Sequence, residues 1–188
     1  DSIIWMAEGR KYEEVVLMTA SLARLLRQSI SNEDEVVPLA REVEYAKGYL
    51  TIQKMRYKDK LEFEIDVEPS ILNIPLIKLV LQPIIENAIY HGLKYKESKG
   101  LLQVKGFMKD GNAVLQVIDN GVGMDEETLS HIYDKHKVNY HSNGVGVYNV
   151  QKRLKLYYGE NYGITYESEK GVGTTATITI PGIQEESI

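Results

Sequence analysis

Residues 113–124 read Ala113-Val114-Leu115-Gln116-Val117-Ile118-Asp119-Asn120-Gly121-Val122-Gly123-Met124. An apolar, β-branched run of strand length stops at a carboxylate and gives way to two spaced glycines, the pattern of a strand leaving a sheet. A carboxylate at a strand end can accept from an exocyclic amine such as adenine N6. Gly121 and Gly123 put no side chain between the backbone and a flat base, and they permit positive φ. An ordinary Asp/Gly turn accounts for the same string, so its meaning depends on what surrounds it.

Outward from this run the chain keeps the same grammar. Residues 101–108 pair with 113–119 as a hairpin around Asp110-Gly111-Asn112. Residues 61–67, Leu-Glu-Phe-Glu-Ile-Asp-Val, alternate strictly and form a half-buried strand. A second hairpin joins 164–168 to 174–180 across Glu169-Lys170-Gly171. Residues 74–91 read as a strongly apolar helix, and 147–158 as another with Val147, Val150 and Leu154 on one face. The expected fold is α+β: a two-layer sandwich whose mixed, mostly antiparallel sheet carries helices on one face.

The first third is helical. Residues 12–30 place Val15, Met18, Leu22, Leu25 and Leu26 on one face, after a turn at Gly9-Arg10-Lys11. A polar break at 31–35 precedes a second amphipathic helix after Pro38, with Leu39, Val43, Ala46 and Leu50 in register. Two such stripes suit a hairpin packed on its own domain and suit a dimerisation hairpin equally. The expected division is a helical segment over 1–58, a second domain over 59–183 and a frayed tail over 184–188.

A formal charge of −5 argues against a nucleic-acid surface. Apolar runs are too short to cross a bilayer, and no signal segment opens the chain. The absence of Cys excludes disulfides and thiolate metal sites and suits a reducing cytosol.

Three further motifs carry chemistry. On the apolar helix Lys78, Gln82, Glu86 and Tyr90 recur every four residues, with Asn87 and His91 beside them. An amide oxygen and a carboxylate, Asn87 and Glu86, are hard ligands suited to Mg²⁺, although the same stripe could simply meet solvent. Asn143-Gly144-Val145-Gly146 opens a helix, where exposed N–H groups and the helix dipole can attract an anion, although a flexible loop with an N-cap explains the string equally well. Gly171-Val172-Gly173-Thr174-Thr175 enters the last strand, where a Thr hydroxyl could bond Asp119 or a water beside it, although a hairpin turn entering a β-branched strand accounts for the same string.

Their order and context resemble the Bergerat nucleotide fold of histidine kinases, gyrase B-type ATPases, heat-shock-90 chaperones, MutL-type repair proteins and anti-sigma serine kinases. The resemblance implies that Asn87 binds Mg²⁺, with Glu86 beside it as the other catalytic and metal candidate. It implies that Asp119 takes the adenine amine, with Gly121, Gly123 and Met124 at the base. Gly144, Val145 and Gly146 would hold the phosphates, Thr174 or Thr175 would sit near the adenine, and His91 would contact the nucleotide. Residues 125–143, with Lys135, His136 and Lys137, would form a mobile lid.

Within that group the chain is most similar to the LytS/YesM class of sensor histidine kinases. The similarity rests on Leu39, Glu42, Tyr49-Leu50, Ile52-Gln53 and Arg56, on Ile74-Pro75, Leu81-Gln82-Pro83, Glu86-Asn87-Ala88-Ile89 and His91-Gly92, and on the run from Gly144 to Arg153-Leu154 and Tyr158-Gly159. Hydrolytic relatives carry a water-activating Glu where this chain has Pro83, which favours transfer to a side chain over hydrolysis. Tyr90 stands where many relatives carry Lys, leaving Lys94 or a lid lysine to reach a phosphate. The class phosphorylates a His in a Pro-His-Phe motif, and none of His91, His131, His136 and His141 lies in one. Asp1-Ser2-Ile3-Ile4 resembles the residues immediately after that motif, so the acceptor is expected just upstream and the chain is expected not to phosphorylate itself. The resemblance implies ATP and Mg²⁺ as ligands, a response regulator as partner, and a homodimer formed through the N-terminal helices. It places this part in the cytoplasm, touching a membrane only through upstream segments.

Overall fold

The computed structural model describes residues 2–30, 35–132 and 144–182. They run α1 (Ser2–Glu8), α2 (Tyr12–Ile30), β1 (Val36–Pro38), α3 (Leu39–Tyr57), β2 (Leu61–Val67), β3 (Pro75–Ile77) and α4 (Leu81–Asn87). A π-helical turn (Ala88–Leu93) leads into β4 (Gly100–Lys109), β5 (Asn112–Asp119), α5 (Glu126–Ser130), α6 (Gly144–Tyr158), β6 (Gly163–Glu169) and β7 (Gly173–Pro181). The α+β expectation holds. The main sheet has five strands in the order β2-β4-β5-β7-β6, parallel only where β2 meets β4.

Alternation decides which face is buried. Leu102 and Val104, Leu115 and Val117, Ala176 and Ile178, and Ile164 point to one side, against Leu50 of α3, Ile84 and Ile85 of α4, and Val147, Val150 and Leu154 of α6. The β4–β5 hairpin turns on Asp110 and Gly111, both with positive φ (50° and 77°), as a two-residue type I′ loop requires.

The helix expected over 74–91 is corrected. Residues 75–77 are instead strand β3, antiparallel to β1 in a ribbon that the sequence reading did not foresee. Leu79 has φ of 59°, which no helix interior accepts. α4 then starts at Leu81 because the buried Glu42 carboxylate of α3 accepts from the N–H groups of Leu79 (2.8 Å), Val80 (2.9 Å) and Leu81 (3.1 Å). Pro83 therefore falls in the first turn, where a missing N–H is harmless, rather than in a helix interior. Past Asn87 the helix widens into the π turn. The last helix opens at Gly144, within the Asn143-Gly144-Val145-Gly146 motif expected to start it, and carries the apolar stripe expected over 147–158.

The Tyr158 hydroxyl ties α6 to β3, accepting from Ile77 N–H (3.2 Å) and donating to the Pro75 carbonyl (3.1 Å). α3 lays Leu39, Ala46, Tyr49 and Leu50 into the same core as the sheet, while α2 packs on α3. Among the described residues no helix is long and apolar enough to cross a membrane.

Candidate nucleotide-binding site

The site forms where β5 ends beside the π turn. Asp119 shares the inward parity of Val117 and Leu115, so its carboxylate points beneath the helices and is 5% exposed. Its Oδ1 accepts from Gly121 N–H at 2.8 Å. Burial pushes the carboxyl up to about 6, against the opposing pull of the Gly121 and Thr174 N–H groups and the Lys96 charge. Near neutral pH it is therefore an ionised, desolvated acceptor.

The π turn brings backbone against this carboxylate. Gly92 accepts from Val122 N–H at 3.1 Å, and a Cβ on Gly92 or Gly121 would lie 2.7 or 2.6 Å from Asp119 Oδ1. Both glycines are thus required by close approach. Gly123, at φ 62°, is a second turn point where a side chain would collide with the Glu169 carbonyl oxygen.

The β6–β7 turn supports the same loop. The Ser168 hydroxyl accepts from Met124 N–H (2.8 Å), donates to the Gly173 carbonyl (3.0 Å) and lies 2.9 Å from Thr174 Oγ1. Gly171 N–H donates to the Val122 carbonyl at 2.7 Å. Asp125 caps α5 by accepting from Thr128 N–H (3.0 Å) and pairs with Lys170 (3.2 Å). The Thr128 hydrogen bonds, followed by the lysine, hold its carboxyl down at about 2.

These elements enclose a cavity of about 550 Å³, within the range of small-molecule sites. Its lining brings together the expected Asn87, His91, Asp119, Gly123, Met124 and Thr174. Ile84, Ala88, Val117, Ile132, Tyr166 and Ala176 supply apolar surface. Asn87 Oδ1 is buried and has no hydrogen-bond partner. An orphaned amide oxygen on a cavity wall is what a hard cation would satisfy. His91 lines the cavity, and partial desolvation, helped by the Lys94 charge, holds its imidazole below the ordinary range.

Other expected residues sit elsewhere. Gly121 lies behind Asp119 rather than on the lining. Thr175 has the opposite parity to Thr174 and faces the outer side of the sheet with Gln103 and Glu167. Glu86 is not on the lining; it accepts from Gln82 Nε2 at 2.8 Å. Gly144 and Val145 open α6, and a Cβ on Gly146 would lie 3.4 Å from Pro83 Cβ. Lys94 Nζ lies 5.6 Å from the centre of the Tyr95 ring and is not on the cavity lining, although its charge reaches His91. Lys135, His136, Lys137 and His141 lie outside the described residues. Sequence reasoning missed the apolar walls, Ser168, and the contributions of Glu127, Thr128 and His131. Strand parity was the available signal for Val117, Tyr166, Ser168 and Ala176, since each shares a face with a buried strand residue.

Comparison with known proteins agrees with this geometry. Residues 1–61 match a histidine kinase family. The sensor histidine kinase YesM of Bacillus subtilis is 32% identical over 181 residues, covering 96% of this chain and 30% of that protein. The sensor protein LytS of Oceanobacillus iheyensis is 34% identical over 143 residues, 74% of this chain and 24% of LytS. The chain thus spans 30% or less of the length of these relatives. In fold it is similar to the catalytic domain of histidine kinase ThkA, with a TM-score of 0.61 at 16% identity over 79% of this chain and 99% of that one. The histidine kinase domain of the Erythrobacter litoralis EL346 blue-light activated histidine kinase gives 0.58 at 15% identity, over 89% of this chain and 74% of that one. The stretch that builds the cavity, from the ribbon strand β3 to the last strand β7, falls within residues 73–184, and through that match the chain belongs to the family of histidine kinase-, DNA gyrase B- and HSP90-like ATPases.

Proposed function

We propose that this chain is the ATP-binding catalytic portion of a sensor histidine kinase. It would pass the γ-phosphoryl group of Mg-ATP to a histidine, and from there the group would move to an aspartate of a response regulator. One observation carries the reading: a single cavity combines a buried carboxylate acceptor, a buried amide oxygen without a partner, and apolar walls.

In this reading the ionised Asp119 accepts from the adenine amine, with Thr174 beside it. Gly123 and Met124 bring backbone to the base, and Val117, Ala176 and Tyr166 exclude water around it. His91 contacts the nucleotide from the cavity lining. Asn87 Oδ1 holds Mg²⁺, which when bound neutralises and orients the phosphates. Gly144, Val145 and Gly146 offer helix-terminal N–H groups to those phosphates, with Lys135 reaching in from the lid. Pro83 leaves no carboxylate where hydrolytic relatives activate water, so the chain's own contribution is positioning and charge stabilisation rather than general-base hydrolysis. Residues 59–183 would form the nucleotide-binding unit. Residues 1–58 would supply dimerisation helices in a homodimer on the cytoplasmic side of a membrane-anchored parent. None of the four histidines lies in a Pro-His-Phe motif, so phosphorylation requires an acceptor helix beyond the motifs found here.

The test has two parts. Calorimetry should detect binding of Mg-ATP to this chain, reduced by Asn87→Ala and abolished by Asp119→Ala. The chain extended by a helix carrying Pro-His-Phe should incorporate acid-labile phosphate from labelled Mg-ATP and lose it when that His is replaced. Acid-stable label or rapid release of free phosphate overturns the reading, and so does an absence of nucleotide binding.

A further inference from the structure

Asp119, Thr174 and Ser168 form one row across three neighbouring strands. Asp119 of β5 is paired in register with Thr174 of β7, and Thr174 with Ser168 of β6. Directly opposed residues of adjacent strands put their side chains on the same face. Asp119 and Thr174 line the cavity, whereas Ser168 is off that lining, one strand further from Asp119.

A serine hydroxyl carries one proton and two lone pairs, and the contacts of Ser168 use all of them. The Gly173 carbonyl, 3.0 Å away, can only accept, so it takes the proton. Met124 N–H, at 2.8 Å, can only donate, so it takes one lone pair. The Thr174 hydroxyl, at 2.9 Å, meets the lone pair that is left. Thr174 therefore donates to Ser168. Its single proton is held away from the base side, and toward the cavity it has lone pairs alone.

The consequence falls on the base. With a carboxylate at Asp119 and an acceptor-only hydroxyl at Thr174, the row shows the cavity two acceptors side by side. A 6-amino purine brings N–H groups to such an edge. A 6-oxo purine brings a carbonyl oxygen, whose lone pairs would face those of Thr174 with no proton between them. A hydroxyl with its proton free rotates to suit either base. A site whose buried polar groups have a fixed polarity rejects a mismatched partner far better than one that adapts.

We propose that Ser168 is a positioning residue for base specificity: by accepting the Thr174 proton it fixes that hydroxyl as an acceptor and sets the site for a 6-amino rather than a 6-oxo purine nucleotide. The inference rests on the adenine-binding role proposed for Asp119. Ser168 acts through Thr174 and contributes no group to the cavity lining.

The measurement is the ratio of affinities for ATP and ITP, which differ only in the 6-substituent and the proton on N1. It is taken by calorimetry on the whole chain with Mg²⁺, at alkaline pH so that Asp119, raised to about 6, stays ionised. Wild type should favour ATP. Ser168→Ala frees the Thr174 proton and should strengthen ITP binding, lowering the ratio roughly tenfold, the scale of one hydrogen bond. A merely structural role would weaken both nucleotides together and could not strengthen ITP. Thr174→Val should lower the ratio by weakening ATP, and adding Ser168→Ala to it should change the ratio no further. Ser168→Cys, near in shape but a weak acceptor, should shift the ratio in the same direction as Ser168→Ala. Cooperative urea unfolding identifies folded variants, and the Cys variant keeps the test open if the Ala variant unfolds. A ratio unmoved by the Ser168 variants overturns the proposal, and so does a shift that persists without the Thr174 hydroxyl or a wild type that does not distinguish ATP from ITP. If wild type binds neither nucleotide, the nucleotide reading itself falls. If it favours ATP and only the Ser168 variants are silent, the role of Ser168 alone falls.

Discussion

Asp119→Asn separates what the cavity needs for folding from what it needs for binding. The Asp119 carboxyl, 5% exposed, is raised by burial from its ordinary 3.8 to about 6. A folded-state value above the unfolded one means that the native chain takes up the proton more readily. The stability contributed by this group is therefore fully present below about 3.8 and is lost as the pH rises through about 6. At about 1.4 kcal/mol for each tenfold change in proton affinity, the ionised carboxylate costs the ligand-free fold about 3 kcal/mol near neutral pH. Asn keeps an oxygen for Gly121 N–H and removes the charge. Ligand-free Asp119→Asn should then be more stable than wild type at about pH 7.5, by up to about 3 kcal/mol. The advantage should shrink by that amount toward about pH 4, while nucleotide binding is lost throughout. Urea unfolding of both proteins without nucleotide, in steps across that range, gives the difference directly. A difference that stays flat with pH, or grows as the pH falls, refutes the reasoning.

Two further expectations come from the geometry. Glu42→Ala strands the N–H groups of Leu79, Val80 and Leu81 beneath α3 and should lower stability by about 3 kcal/mol in urea unfolding, with Glu42→Gln losing less. Thr174→Val should weaken nucleotide binding by roughly tenfold, the scale of one lost hydrogen bond, whereas Thr175→Val on the outer face should leave calorimetric affinity unchanged; equal effects would contradict the strand parity.

The sheet was legible because its signals are local. Strict alternation in 61–67, the Asp-Gly turn at 110–111 and the apolar parity of 113–119 each determine a strand without reference to distant residues. The motifs of the cavity were legible for the same reason. The first turn of α4 was not. Periodicity carries straight through 74–91, but the N–H groups that start the helix are satisfied by Glu42, some 38 residues away in the chain. Only Pro83 hinted that a helix interior could not begin at residue 74. The sequence reading also put Glu86 beside Asn87 as a ligand because a carboxylate and an amide oxygen are both hard donors suited to Mg²⁺. On a helix they diverge by about 100°, and that angle puts Asn87 on the cavity lining and leaves Glu86 off it, bonded to Gln82.

The two N-terminal stripes, which looked alike in sequence, end in different environments. The α3 stripe is consumed at home: Leu39, Ala46 and Leu50 are buried in the core beneath the sheet. Of the α2 stripe, Met18 is buried and Val15 half-buried, while Leu22 is 42% exposed; outside the stripe, Tyr12, Val16 and Leu17 are 66%, 68% and 50% exposed. A helix this apolar on its outer side gains little by itself in water, since short isolated helices are marginal without packing. Its natural complement is another helix with the same stripe, as the proposed homodimer supplies. α3 is then shared, packing on α2 and on α4.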